Sequence, residues 1–212
     1  MPTFQERTKA QFAIVYLTLI SVIQACVLGY FFTQADLVLA HLSMRTALFL
    51  FTSFLLIALV WNEYMMWSCM VRWVLRLTDS IMPLLLGVLQ FGMIPSISAK
   101  SPAYFLVMAA FLGASLVKYR HGLVAGGREP ENVAVLASLK GWNLMSEWLL
   151  VVGIALSLLA AWLDARFDAG RGTWPWAAGL VAVFPIVYIV RAIRYWQFVC
   201  PVDPSGAGAE KG

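Results

Sequence analysis

The chain has 212 residues, of which 61% are hydrophobic and only 12% are charged, and its formal net charge is +4. Because soluble domains carry about 25% charged residues, this composition argues against a soluble globular protein and favours one solvated by a lipid bilayer. The basic residues flank apolar runs, where they act as topology signals, so no nucleic-acid partner is expected. Cys26, Cys69 and Cys200 form no CxxC pair, and neither a disulfide framework nor a zinc motif is indicated.

Apolar stretches of membrane-spanning length follow one another along the chain. A transmembrane helix needs about 20 mostly apolar residues. Six stretches meet this length or nearly so, at about 12–32, 46–67, 80–97, 102–118, 143–163 and 174–196. We therefore predict an all-α, polytopic membrane domain over residues 1–200. The remaining residues, 201–212, are predicted to be a disordered cytoplasmic tail.

Lysine and arginine are distributed unequally between the two ends of these spans. With six spans, Arg45, Lys100, Arg166 and Arg171 fall on one side, which leaves 11 of the 15 basic residues on the side of both termini. The positive-inside rule then places both termini in the cytoplasm. Compact connections and the lack of a transit peptide suit the inner membrane of a bacterium.

The connection between the second and third spans carries two predictions. No residue from 46 to 76 breaks a helix, so the second helix should continue past the bilayer and carry Arg72 and Arg76 one turn apart. Thr78 or Asp79 is then expected to cap the third helix.

Acidic and amide side chains at one level of the predicted helices form the main candidate site. Glu63 lies near the cytoplasmic end of span 2, and Glu147 lies near the cytoplasmic start of span 5. The other polar residues expected at this level are Asn62, Asn143, Asp79, Arg191 and Arg194. An ionised carboxylate facing lipid costs about 2.5–3.5 kcal/mol at the bilayer centre and less near its surface, so these shallow positions are tolerable.

Two interpretations of this polar level stay open. In the first, Glu63 and Glu147 line the cytoplasmic mouth of an ion or proton pathway. In the second, they form structural ion pairs that hold helix ends together, for instance Glu63 with Arg72 or Glu147 with Arg191.

Other polar side chains also allow two interpretations each. Gln24 and Gln90 lie deeper and either hydrogen bond between helices, worth about 0.6–2 kcal/mol, or line a narrow, weakly polar pore. Four arginines stand at the cytoplasmic ends of predicted spans: Arg72, Arg76, Arg191 and Arg194. Arginines in such positions anchor the topology, and they can also bind phospholipid headgroups.

Catalytic and cofactor-binding motifs are missing from the sequence. His41 and His121 fall in predicted loops on opposite sides, the latter within residues 118–133, which should form the longest connection. This placement argues against a haem held by two histidines. No HExxH, GxSxG or P-loop motif is present. We therefore expect no metal site, no cofactor, no catalytic residues and no enzymatic activity.

Residues 46–118 resemble the corresponding stretch of the six-helix potassium channels of lysosomes and bacteria. The residues that carry the likeness are FLFTSFLLIALVWNEYMMW, a short basic connection, and LTDSIMPLLLGVLQFGMIPSISAKSPAYF. The RxxxFSD signature of that family is absent from the first helix, which reads QERTKAQFAIVYLTLI. The resemblance implies a pore lined by apolar residues of the first helix, with Ile14 and Leu17 as positional counterparts.

These observations leave three classes of function. The first is an oligomeric membrane channel or small transporter for ions, with a polar mouth on the cytoplasmic side. The second is a non-catalytic membrane subunit or scaffold of a larger complex, and the third is a lipid-binding membrane protein. The partners expected are membrane lipids, together with further copies of this chain or other membrane subunits.

Overall fold

The computed structural model describes residues 4–39, 43–98, 102–168 and 175–200. Within them, the α-helices are α1 Phe4–Leu39, α2 Met44–Met70, α3 Leu77–Met93, α4 Ala103–Gly127, α5 Val133–Ser138, α6 Lys140–Leu163 and α7 Pro175–Val199. Single helical turns at Pro95–Ile97, Pro130–Asn132 and Asp164–Asp168 follow α3, precede α5 and extend α6. These described segments contain no β-strand, so the all-α prediction is confirmed.

Six of these helices are long and apolar enough to cross a membrane. The candidate spans are Lys9–Asp36, Met44–Met70, Leu77–Ile97, Ala103–Gly127, Lys140–Phe167 and Pro175–Val199. Their number agrees with the sequence prediction, and most extend further than predicted. The predicted tail at 201–212, together with His41, Lys100 and Arg171, lies outside the described residues.

Successive long helices run in opposite directions. Lys9 in α1 forms an ion pair with Glu129, which directly follows α4. At the other end of the bundle, Arg45 at the start of α2 is paired with Asp164, which directly follows α6. We call these two ends the Lys9 end and the Arg45 end. The ends of α2, α4 and α7 and the starts of α1, α3 and α6 share the Lys9 end.

The six long helices close into a ring in the order α1, α2, α7, α6, α4 and α3, each packed chiefly against its two neighbours. Gly153 allows α6 to pack closely against α4 and α7. A Cβ atom there would lie 2.7 Å from the Phe184 ring of α7 and 3.0 Å from Leu112 of α4. Side chains of α2 and α4 meet across the interior, where the candidate site lies.

The prediction of one helix from 46 to 76 is wrong. Helix α2 ends at Met70, and Val71 is extended, with φ −131° and ψ 138°. The Asn132 side chain holds this extended segment, because it accepts a hydrogen bond from the Arg72 amide and donates one to the Arg72 carbonyl. Arg72 and Arg76 therefore do not lie one turn apart on a helix.

The start of α3 differs in detail from the prediction as well. The helix begins at Leu77, and its N-cap residue is Arg76, so neither Thr78 nor Asp79 is the N-cap. The Asp79 carboxylate does bind a free helix-terminal amide, accepting from Arg76 N at 2.7 Å. Asp79 thus serves the helix start from the third helical position instead of being the N-cap residue.

The predicted loop at 118–133 is mostly helical. Helix α4 continues to Gly127, so Lys118 and His121 lie within it. At 1.5 Å per residue, Lys118 is about 13 Å inside the helix end. This extension moves a lysine from a predicted membrane surface into the interior of the bundle.

Candidate functional site

An interior cavity of about 50 Å³, which we call the central cavity, lies between α2, α3, α4, α6 and α7. Most of its wall is apolar and consists of Leu56, Leu59, Val60, Leu86, Phe111, Leu112, Leu150 and Phe184. The polar side chains in the wall are Glu63, Tyr64, Ser115, Lys118, Tyr119 and Tyr188. Since one water molecule needs about 10–15 Å³ measured in this way, the space suits a few waters or one small ion.

Glu63 is paired with an arginine of another helix. Arg191 Nη1 of α7 donates to Glu63 Oε1 at 2.8 Å, and the two side chains are only 4% and 12% exposed. The Arg191 guanidinium also lies 4.8 Å from the Tyr195 ring centroid. The predicted pairs of Glu63 with Arg72 and of Glu147 with Arg191 are therefore wrong in their partners.

Lys118 is the cationic side chain in the wall of this cavity. Lys118 is 9% exposed, and its ammonium lies 4.0 Å from the Tyr64 ring centroid and 5.8 Å from the Trp67 ring centroid. Glu63 acts on it electrostatically, but no ion pair or hydrogen bond joins Lys118 to any residue in the described part of the chain. Removing an ammonium from water costs several kcal/mol. A desolvated cation–π contact returns only about 2 kcal/mol.

The charges around this cavity do not balance. Glu63 and Lys118 line it with one charge of each sign, but the Glu63 carboxylate is already paired with Arg191, which lines the smaller neighbouring cavity. Asp79 forms no ion pair with Lys118, although the two line one small cavity; its buried carboxylate accepts from the Arg76 amide and lies 3.4 Å from His121. We refer to Glu63, Lys118 and Arg191 as the interior cluster.

A smaller cavity of about 10 Å³ lies next to the first, toward the Lys9 end. Glu63 and Tyr119 belong to the walls of both cavities, and Met70 and Leu139 line the second one close to the helix ends. The interior cluster therefore lies between the central cavity and the Lys9 end of the bundle.

The two predicted asparagines support the walls of this site. Asn143 of α6 accepts a hydrogen bond from the Tyr119 hydroxyl of α4 at 2.8 Å. Asn62 of α2 accepts one from Trp196 Nε1 of α7 at 2.9 Å. Neither amide lines the central cavity, although Asn143 lines the smaller one; Asn62 joins α2 to α7, and Asn143 joins α6 to α4.

Other predicted residues lie apart from this site. Glu147, whose side chain is 21% exposed, is paired with Arg120 at 3.3 Å and lines neither of the two cavities that Glu63 lines. Gln24 Nε2 donates to Gln90 Oε1 at 3.0 Å, which confirms the predicted contact between α1 and α3. These two amides are buried but do not line the central cavity.

The four arginines proposed as headgroup binders divide into two groups. Arg72, Arg76 and Arg194 are exposed at the Lys9 end, as that hypothesis requires. Arg191 is buried in the interior cluster, so its assignment as a surface headgroup binder is wrong. Near Arg76 lies a cavity of about 210 Å³ that is also lined by Lys9, Arg128 and Glu129.

A buried ion pair at the Arg45 end is absent from the sequence predictions. Arg45 Nη1 and Nη2 donate to the two carboxylate oxygens of Asp164 at 2.6 and 3.1 Å. The side chains are 7% and 0% exposed, and the guanidinium lies 5.3 Å from the Phe49 ring centroid. We call this pair the Arg45 clamp. It joins the start of α2 to the end of α6.

Lys118 is the cavity-lining residue that the sequence predictions missed most clearly. A signal for it exists in the periodicity of α4, because Phe111, Ser115, Lys118 and Gly122 recur at three- and four-residue spacing on one face. The basic run at 118–121 hid this pattern because it was interpreted as a membrane boundary. Within the described segments, no group of His, Cys, Asp and Glu is arranged to hold a metal ion.

No protein-family model matches the chain, and no curated protein or solved structure matches it either. The fold defines a helical protein with six helices long and apolar enough to span a membrane. The interior cluster has to be interpreted from its own chemistry.

Proposed function

We propose that the protein is a six-span membrane protein, with both termini on the cytoplasmic side of a bacterial inner membrane, that moves small ions across it. The six long apolar helices support membrane insertion. The excess of basic residues on the side of both termini supports the orientation, and it makes the Lys9 end the cytoplasmic end.

The unbalanced interior cluster is the observation that carries this proposal. Glu63 and Lys118 line a cavity whose remaining wall is mostly apolar, and Arg191 pairs with Glu63 from the adjoining smaller cavity. A purely structural ion pair requires one charge of each sign, and a further buried charge lowers stability, so its presence favours a functional role. Ionisable groups facing a cavity between transmembrane helices are the usual components of ion and proton pathways.

An oligomer is part of the proposal. Ile14 on α1 is exposed, and large apolar side chains are also exposed on the other long helices. Lipid or neighbouring subunits would cover these surfaces. The resemblance to potassium channels would place α1 at the axis of such an oligomer, and a mass measurement in mild detergent would establish the number of chains.

Ion flux into liposomes tests the function. Purified protein would be reconstituted and exposed in turn to gradients of protons, potassium, sodium and monovalent anions. We expect flux of at least one ion, and we expect Glu63→Gln to lower it at least about tenfold, because the carboxylate that balances Arg191 is lost.

Glu147→Gln is the matched control, since it makes the same change at a glutamate outside the cavity. Its flux should stay within about twofold of the unmodified protein, as expected for an exposed ion pair. Absence of flux under every gradient, or equal losses in the two variants, would contradict the proposal.

Anionic lipid binding is a second candidate, favoured by the basic cavity at the Lys9 end. Lys9, Arg76 and Arg128 line it against a single carboxylate, Glu129. Native mass spectrometry in detergent should then show a retained anionic phospholipid that Arg76→Ala weakens and Lys140→Ala does not. Equal retention in the two variants would argue against this cavity as the lipid site.

A further inference from the structure

The Lys118 amino group forms no ion pair or hydrogen bond with any described group of the protein. The Glu63 carboxylate is engaged by Arg191 at 2.8 Å, and Asp79 is engaged by the start of α3. The ammonium contacts the Tyr64 ring, which attracts the cation without neutralising it. A buried charge in this position is tolerated when a counterion or other partner reaches it.

A second buried donor lies across Glu63 from Lys118. Arg191 uses Nη1 for its hydrogen bond to Glu63, whereas its buried Nε has no hydrogen-bond partner in the described residues. Donors with positive charge thus outnumber acceptors around the two adjoining cavities. The group missing from this arrangement is a negatively charged acceptor.

We infer that the interior cavity binds a small monovalent anion, with the Lys118 ammonium as its principal ligand. The site would identify monovalent anions as the substrates of the proposed transport function. Movement of the ion rests on that proposed function, whereas binding of the ion does not. Chloride, nitrate and formate are suitable probes, since each carries one negative charge in a small volume.

The size and wall of the cavity restrict the ligand. A volume of about 50 Å³ admits one small ion with little water. Because the rest of the wall is mostly apolar, an entering ion has to give up most of its hydration shell. Desolvation costs increase steeply with ionic charge, so a monovalent anion fits this site and sulfate does not.

Direct binding tests the inference. Detergent-solubilised protein would be dialysed to equilibrium against radioactive chloride, with nitrate, formate and sulfate as competitors at matched ionic strength. We expect saturable binding of about one chloride per chain, displaced by nitrate and formate and not by sulfate, because a single buried ammonium is the unbalanced charge.

Three lysine variants locate the binding. Lys118→Met should weaken chloride affinity at least about tenfold, because a hydrogen bond to a charged group is lost. Lys118→Arg retains the charge and should retain binding. Lys140→Met makes the same change as the first variant at an exposed lysine, and it should bind like the unmodified protein. Lys118→Met should fold, because it places an apolar side chain of similar length in a mostly apolar cavity.

The outcomes separate this site from the transport function. Lack of saturable binding to the unmodified protein, or equal affinity in Lys118→Met, would overturn the anion site. If such a protein still conducted protons or cations into liposomes, the proposed function would stand without it. Anion binding without any flux would support the site and contradict transport, and the absence of both would remove both proposals.

Discussion

The two buried charged groups of the bundle differ in balance and in packing. The Arg45 clamp pairs one cation with one anion through two hydrogen bonds, with aromatic rings against the guanidinium. The interior cluster pairs Arg191 with Glu63 through one hydrogen bond and adds Lys118 beside a cavity. Both lie inside the ring of helices, at opposite ends of α2.

The contrast shows how structural and functional charges can be distinguished within one helical bundle. A balanced, bidentate and closely packed pair satisfies itself and joins two elements, so it requires no ligand. An unbalanced group beside an empty space has unused interactions for an ion. If this distinction is correct, removing the Asp164 charge from the Arg45 clamp should lower the free energy of unfolding. Removing the Lys118 charge from the interior cluster should raise it.

The largest effect is expected at the Arg45 clamp. Asp164→Asn removes the carboxylate charge that binds both Nη atoms of the buried Arg45 guanidinium, so the free energy of unfolding should fall by about 3–5 kcal/mol. Thermal or denaturant unfolding in detergent would measure it. The double variant Arg45→Met with Asp164→Leu should recover most of the loss. A decrease below about 1 kcal/mol for Asp164→Asn would contradict the comparison.

The opposite sign is expected at the interior cluster. Lys118→Met removes an unpaired buried charge and fills its place with an apolar side chain, so the protein should become more stable by about 1–4 kcal/mol. The same unfolding assay would measure this change. A marked loss of stability would show that Lys118 has a structural partner and would place it with the Arg45 clamp.

A change in cavity shape should affect only one of the two regions. A methyl group at Gly153 would press on Phe184 and Leu112, both of which line the cavity. Gly153→Ala should therefore cost about 1–3 kcal/mol and lower ion flux by narrowing the cavity. Gly179→Ala is the matched control, because no atom lies within 4 Å of the added Cβ. Similar behaviour of the two variants would exclude steric control of the cavity.

The smallest effect is expected for the ion pair between Arg120 of α4 and Glu147 of α6. Glu147→Gln breaks the contact with Arg120, whose side chain is largely in the surroundings of the bundle. The free energy of unfolding should change by no more than about 0.5 kcal/mol. This variant provides the baseline against which the two buried groups are compared. A loss of several kcal/mol would show that the exposure of an ion pair does not determine how much it contributes to stability.

Sequence reasoning succeeded where one physical requirement dominates. Helices that can cross a bilayer need length and apolar composition, and both can be counted from residues alone. The all-α fold and the number of long apolar helices were therefore predictable. The contact between Gln24 and Gln90 was predictable for a related reason, because buried amides in apolar helices need each other as partners.

Helix ends and charge partners depend on tertiary contacts that the sequence does not display. No glycine or proline ends α2 at Met70. The break depends on Asn132, 60 residues away along the chain, which binds the Arg72 backbone. The partner of Glu63 depends on how α2 and α7 are rotated about their axes, and hydropathy does not specify rotation. The error at Lys118 arose in the same way, from a helix end placed too early.

The Asn132 side chain gives the Lys9 end a mechanical property. One amide group bonds both the N–H and the C=O of Arg72, as a neighbouring β-strand would, and it also donates to the Gly126 carbonyl at 2.9 Å. The linker between α2 and α3 is thereby fastened to the linker between α4 and α6. Neither linker can shift alone without breaking these bonds. The ends of α2 and α4 and the starts of α3 and α6 are therefore held together as one unit.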